Sequence, residues 1–474
     1  MKQLNGIDAA FLYLETDETP MHVAGLTIYD LPKGFGGSFH KTFTEFFKGR
    51  VHLVPVFGMK LTHSSFNLDH PAWVDAGELD FGYHIQSIRL PKPGTRAQLE
   101  AAVARLHSER LVRDRPLWQF TVIEGLVNRQ AALYSKVHHS AVDGAASMAI
   151  TEALYDLTPV PRDVAPPCRK DPQPIRPDLE KTISDFTQIT ANLYRQHANF
   201  LNKSPKIMSQ LADLALPFLT GKLRTPAMLA PSTPINVSID AERSYAARSI
   251  SLQDAKHISR KTGTKLNDVV MAVTSGALRT YLAEKSALPD GSLVAFVPIS
   301  LREIGNAETN NQTFGMTVSL ATNQSDPLER LFEISAEADA SKTIAGSISD
   351  AAPQDFTLLG APSMLPQIMK MYGAFDVSQY VPQVVNLTIS NTPGPSYPLY
   401  CAGAKVASLY PVSIPSHGVG LNVTVQSYLG HLDFGVTAGT RAMPDADHFS
   451  DLLVRSFEEL RAAVDAQIPD KIRA

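Results

Sequence analysis

Polar and apolar positions recur with two periods along this chain, and the change from one to the other marks its elements. Leu99, Ala102, Val103 and Leu106 recur at spacings of three and four behind Thr95-Arg96-Ala97-Gln98, a capping box, so a helix is predicted there. Leu117 to Leu126 and Ala131 to His138 are short and rich in β-formers, with polar Val127-Asn128-Arg129-Gln130 between them, and read as paired strands. Small residues from Gly144 to Ala153 favour a closely packed helix. Asp178 to Leu201 and Lys206 to Leu216 read as helices, with Pro217 ending or kinking the second. A helix starting near Thr264 carries Leu266, Val269, Val270, Val273, Ala277 and Tyr281 on one face. Strand-like runs follow over 293–300, 316–321, 384–390, 405–410, 420–428 and 431–436, with helices over 327–345 and 445–466.

At 474 residues the chain exceeds the roughly 250–300 at which a single core stops growing, so two domains are expected. Prolines cluster from Thr158 to Pro177, where fixed φ angles and missing donors suit an extended connection. The expected division is an N-terminal domain over 1–158, a proline-rich and helical linker over 159–245, and a C-terminal domain over 246–474. Mixed strands and helices on both sides place the chain in the α/β class. With 43 Lys+Arg against 47 Asp+Glu, nucleic acid is a poor partner. Cys168 and Cys401 lack the neighbours of a zinc site, and neither a secretory signal nor an uninterrupted membrane span is read, so a reduced cytoplasmic location is expected.

The most informative string is His138-His139-Ser140-Ala141-Val142-Asp143-Gly144, where a predicted strand ends and a helix begins. Strand parity puts His138 with Lys136 and Tyr134, and His139, if the extended path persists, with Val137 and Ser135, so the two histidines should differ in role. A histidine near neutrality can take a proton from a hydroxyl and return it to a leaving group, as acyl transfer requires. Taken alone the pair also fits buried, hydrogen-bonded histidines with Asp143 as a helix cap. No third metal ligand lies at a suitable spacing, and no Gly-x-Ser-x-Gly elbow supports Ser140 as nucleophile.

His-His-x-x-x-Asp-Gly is the signature of the acyltransferase superfamily related to chloramphenicol acetyltransferase and nonribosomal-peptide condensation domains. The chain resembles, more narrowly, the bacterial bifunctional wax ester synthase/diacylglycerol acyltransferases. It is similar to them in Asp8-Ala9-Ala10-Phe11-Leu12 with Thr19-Pro20-Met21-His22-Val23, and in Pro116-Leu117-Trp118. It matches again in Asn267-Asp268-Val269-Val270, where Met271 replaces a more usual leucine, in Pro298-Ile299-Ser300-Leu301-Arg302, and from Ser390 to Pro395. Each segment also has a plain structural reading. Thr264 and Asp268 suit a helix start, Trp118 suits a core, and Asn391 to Pro395 is a turn by composition.

The resemblance implies two chloramphenicol-acetyltransferase-like domains, each a mixed sheet with helices, and an active-site tunnel between them. It implies long-chain acyl-CoA as donor, a fatty alcohol or diacylglycerol as acceptor, and direct transfer with His139 as general base and His138 in support. Asp143, beside Gly144, would orient the loop by pairing with an arginine, for which Arg302 is the candidate. Asn267, Ser390 and Asn391 are candidate contacts to substrate or oxyanion. No cofactor or metal is expected, acyl-CoA being a substrate. Peripheral attachment to the inner membrane or lipid inclusions is expected, with Lys206 to Arg224 as the candidate segment, although its apolar face equally suits packing on the protein. Phe356 to Tyr372 is apolar and methionine-rich enough for a substrate wall, although its helical spacing favours ordinary core. The competing readings are a condensation-type or polyketide-associated acyltransferase using carrier-protein thioesters, and a non-catalytic lipid-droplet protein.

Overall fold

The computed structural model describes residues 2–62, 70–142, 144–166, 229–300, 313–349 and 361–467. Asp143, Arg302, the expected helices over 178–201 and 206–216 with the membrane segment Lys206 to Arg224, and the start of the wall at Phe356 lie outside those residues. The first half runs β1 (Lys2–Gln3), α1 (Gly6–Leu14), β2 (His22–Asp30), α2 (Phe39–Lys48), β3 (Met59–Thr62), β4 (Ala72–Asp75), α3 (Phe81–His84), β5 (Ile85–Arg89), α4 (Arg96–Ser108), β6 (Trp118–Glu124), β7 (Gln130–His138) and α5 (Gly144–Leu154). The second half supplies β8 (Arg243–Ser251), β9 (Val294–Ser300), β10 (Thr313–Ser319), β11 (Leu387–Thr392), β12 (Tyr400–Cys401), β13 (Ala404–Val412), β14 (Leu421–Tyr428) and β15 (His431–Gly439).

Two six-stranded mixed sheets result, in the orders β12-β13-β2-β7-β6-β5 and β10-β9-β11-β14-β15-β8, beside a small sheet of β1, β4 and β3. The predicted strand pair is antiparallel β6 and β7, and the predicted capping box at Thr95 is closed by Gln98 in both directions. One face of the first sheet packs on α2 through Phe43, Phe47, Phe57, Trp118 and Phe120, all fully buried. Trp118 stacks on Phe57 at 4.7 Å and donates from Nε1 to the Phe57 carbonyl, so the Pro-Leu-Trp segment is core. The second sheet carries the Leu252–Thr262, Leu266–Glu284, Pro327–Ser349 and Ala446–Gln467 helices over one face.

The chain does not keep its halves apart. β12 and β13, from the segment expected as the C-terminal domain, pair with β2 of the first sheet, Val412 opposite Ala24 and Lys405 opposite Asp30. β13 then lies against the bare face of β14 and β15. Gly435 permits that approach, because a Cβ there would stand 1.8 Å from the Pro411 carbonyl oxygen. Asp433 accepts the Leu409 N–H and Thr437 the Ser413 N–H across the same seam. On the other side α4 covers the free edge of β8, where the buried Glu100 carboxylate accepts the Ala247 N–H and an Arg248 N–H, both at 3.0 Å.

Some local expectations are corrected. β11 continues through Asn391 and Thr392, paired with Val425 and Gln426, so the turn begins after them. Thr264 does not cap the Leu266–Glu284 helix, since its hydroxyl bonds Thr262. The Asp268 carboxylate instead accepts the Lys265 N–H at 2.9 Å and the Ser335 hydroxyl at 2.8 Å, tying that helix to the next. The strands β2 and β8 were not anticipated. No helix among the described residues is long and apolar enough to cross a membrane.

Candidate active site

β7 ends at His138, and the chain then tightens into a single 3₁₀ turn over His139–Ala141 before α5. Strand parity therefore stops at His138, and the turn, not the pleat, aims His139. His138 caps that turn: its Nδ1 accepts the Ser140 backbone N–H at 3.1 Å and stands 2.7 Å from the Ser140 hydroxyl. An amide N–H can only donate, so Nδ1 holds a lone pair and Nε2 of the neutral ring carries the proton. That Nε2 faces a Glu15 oxygen at 3.5 Å. Burial pushes the His138 pKa down, keeping the ring neutral.

His139 is only half-buried, unlike its neighbour. Its backbone N–H donates to the Met21 carbonyl at 2.9 Å, and its ring stacks on Phe11 of α1, with centroids 3.9 Å apart and planes 15° apart. Among the described residues no group hydrogen-bonds either its buried Nδ1 or its Nε2. Burial lowers the His139 pKa to about 4, so the imidazole is neutral and can accept a proton.

Glu15, just beyond α1, organises the surroundings and was not singled out from the sequence. Its fully buried carboxylate accepts from Arg113 Nε and Nη2 at 3.0 and 2.7 Å and from Arg110 at 3.1 Å on one oxygen. The other oxygen accepts the Met21 N–H at 3.2 Å. Burial opposes ionisation, but His138 and the two arginines outweigh it and hold the pKa at about 2. The partners lie nearly a hundred residues away in sequence, which is why spacing did not reveal them.

The same face of β7 holds further buried polar groups. Lys136 donates to the Leu106 and Glu109 carbonyls at the end of α4, and burial lowers its pKa to about 8. His22, opposite His138 in the ladder, donates from Nε2 to the His107 carbonyl, and His107 donates from Nε2 to the Ser413 carbonyl beyond β13.

The other expected residues are spread more widely. Ser390 pairs with Thr424, and Thr424 with Gly435, so Ser390 shares the face turned toward β13 and the first sheet. Asn391 pairs with Val425, which is buried under the helices, so it points the opposite way. Among the described residues no hydrogen bond joins Ser390 to the His139 turn. Asn267 lies in the first turn of the Leu266–Glu284 helix, in the outer helical layer. Gly144 opens α5. Of the expected wall, Ile368 and Met371 are exposed on the Ala361–Ala374 helix, which packs against α1. Among the described residues no cluster of His, Cys, Asp or Glu could hold a metal ion.

Residues 4–270 match the model of the wax ester synthase/diacylglycerol acyltransferase catalytic domain, and residues 309–461 match that of the WS/DGAT C-terminal domain. The chain belongs to the wax ester synthase/diacylglycerol acyltransferase family. It is therefore an O-acyltransferase, acting between an acyl donor and an alcohol or diacylglycerol acceptor. A probable diacylglycerol O-acyltransferase of Mycobacterium tuberculosis is 33% identical over 458 residues, 96% of this chain and 98% of its own. An O-acyltransferase of Acinetobacter baylyi is 31% identical over 471 residues, 97% of this chain and 96% of its own. The wax ester synthase/diacylglycerol acyltransferase from Marinobacter aquaeolei superposes with a TM-score of 0.69 at 29% identity, covering 98% of this chain and all of that one. A starter condensation domain of rhizomide synthetase, at 12% identity and a TM-score of 0.56, shares the fold. The two-domain, chloramphenicol-acetyltransferase-like architecture of the family is thus the architecture found.

Proposed function

We propose that this wax ester synthase/diacylglycerol acyltransferase moves a long-chain acyl group from acyl-CoA to the hydroxyl of a fatty alcohol or diacylglycerol, with His139 Nε2 as general base. The observation that carries it is the contrast between adjacent rings: His138 is buried, with Nδ1 taken by Ser140 and Nε2 facing the Glu15 carboxylate at 3.5 Å, whereas His139 is neutral and half-buried, with no hydrogen bond to Nε2 among the described residues. Nε2 takes the hydroxyl proton as the oxygen attacks the thioester carbonyl. The tetrahedral intermediate collapses by breaking the carbon–sulfur bond, and the proton passes to the departing thiolate, leaving ester and free CoA. No acyl-enzyme and no cofactor are needed, since acyl-CoA is consumed as a substrate.

Ser390 suits the oxyanion role better than Asn391, because its face is turned toward the first sheet. Asp143 paired with Arg302 as an orienting contact, and attachment to the inner membrane or lipid inclusions through Lys206 to Arg224, belong to the same reading. Purified protein given palmitoyl-CoA should release CoA only when hexadecanol or dioleoylglycerol is added, and His139→Ala should abolish the release while the chain stays folded. Release unaffected by His139→Ala would overturn the assignment. Carrier-protein thioesters and a non-catalytic coat are not favoured, as the relatives across the whole chain are named O-acyltransferases.

A further inference from the structure

We infer that Glu15 is a positioning residue for the acyl transfer, acting through His138 to fix the turn that presents His139; this rests on the reading of His139 as base. Met21 links the two parts. Its N–H is held by Glu15 and its carbonyl holds the His139 N–H, so the segment after α1 is clamped between the carboxylate and the turn. Arg113, which grips Glu15, also donates to the Leu12 carbonyl, fixing the end of the helix whose Phe11 backs the His139 ring.

The decisive chemistry is that a carboxylate can only accept. Facing Glu15, His138 Nε2 must carry the ring proton, which leaves Nδ1 as the acceptor that the Ser140 N–H requires. A glutamine in the same place can turn its NH₂ toward Nε2. The ring could then move its proton to Nδ1, which expels the Ser140 N–H and loosens the turn. The arginine pair keeps Glu15 ionised, so the restriction holds at neutral pH.

A double-mutant cycle on the full chain tests this. Glu15→Gln should lower kcat about 10- to 100-fold with the KM for palmitoyl-CoA within about twofold, since positioning is felt in the transition state rather than in donor binding. His138→Asn retains an oxygen that can accept the Ser140 N–H but does not reach Glu15. In that background Glu15→Gln should cost less than about twofold. An equal loss in both backgrounds would show that Glu15 acts through Met21 or the arginines and not through His138, and would overturn the proposal. Nitrogen-15 NMR of ring-labelled histidine gives a readout independent of turnover: His138, assigned by its absence from the His138→Asn spectrum, should be solely the Nε2–H tautomer in the parent and mixed in Glu15→Gln. An unchanged tautomer overturns the proposal even if folding suffers. Should the parent release no CoA with any acceptor, the functional reading fails, and the tautomer still decides the role of Glu15.

Discussion

His138 and His139 are covalent neighbours in different surroundings, and burial with hydrogen bonding, not residue type, separates them. With the base near a pKa of about 4, kcat/KM should stay flat from pH 8 down to about 5 and fall as His139 takes up a proton below that. A stopped assay of CoA release across that range checks it, and a limb centred near 6.5 would mean that the ring is not desolvated as described. The stack on Phe11 is the other local support. Phe11→Leu keeps the bulk but loses the ring contact, and should cost about 2- to 10-fold in kcat, matching the roughly 0.5–1.5 kcal/mol of an aromatic pair. The histidines were legible in the sequence because seven consecutive residues carry them. Glu15 was not, because a carboxylate beside a helix end is an ordinary surface pattern until residues 110 and 113 fold back onto it.

Elements whose stabilising contacts are local were read well, and those defined by distant partners were not. The capping box at Thr95 and the β6–β7 pair need only near neighbours. β2 and β8 become strands by pairing with segments far along the chain, and Asn391 extends β11 because β14 offers it a ladder. One close distant contact is that of Gly435 against β13. Gly435→Ala should lower stability by about 1–3 kcal/mol, the range for forcing a methyl into a filled site, read as a shift in the urea midpoint with unchanged slope. An unchanged midpoint would mean that the two sheets are not pressed together there.

Across the whole molecule the buried histidines set the response to acid. His107, held near 3, and His139, held near 4, bind fewer protons folded than unfolded, so each contributes stability that is lost as pH falls from about 6.5. Glu15, near 2 when folded, adds a loss that starts only below about 4.5. Glu100 and Asp433, raised by burial, work the other way, but His22, His84, His138 and His417 are all pushed down and add to the first group. The urea midpoint should therefore begin to drop between pH 6.5 and 5, and a midpoint constant from pH 7 to 5 would contradict this pattern of burial. Two α/β units were foreseeable from composition and pattern, whereas the passage of β12 and β13 into the first sheet was not, since no local signal marks a strand as belonging to a distant sheet. That passage bears on synthesis. A ribosome releases β2 early, yet its antiparallel neighbour β13 emerges only near the end of translation, on the order of tens of seconds later at about 5–20 residues per second. Throughout that interval the nascent first sheet has an unpaired edge beside an apolar face, the form in which chains stick to one another or recruit a chaperone.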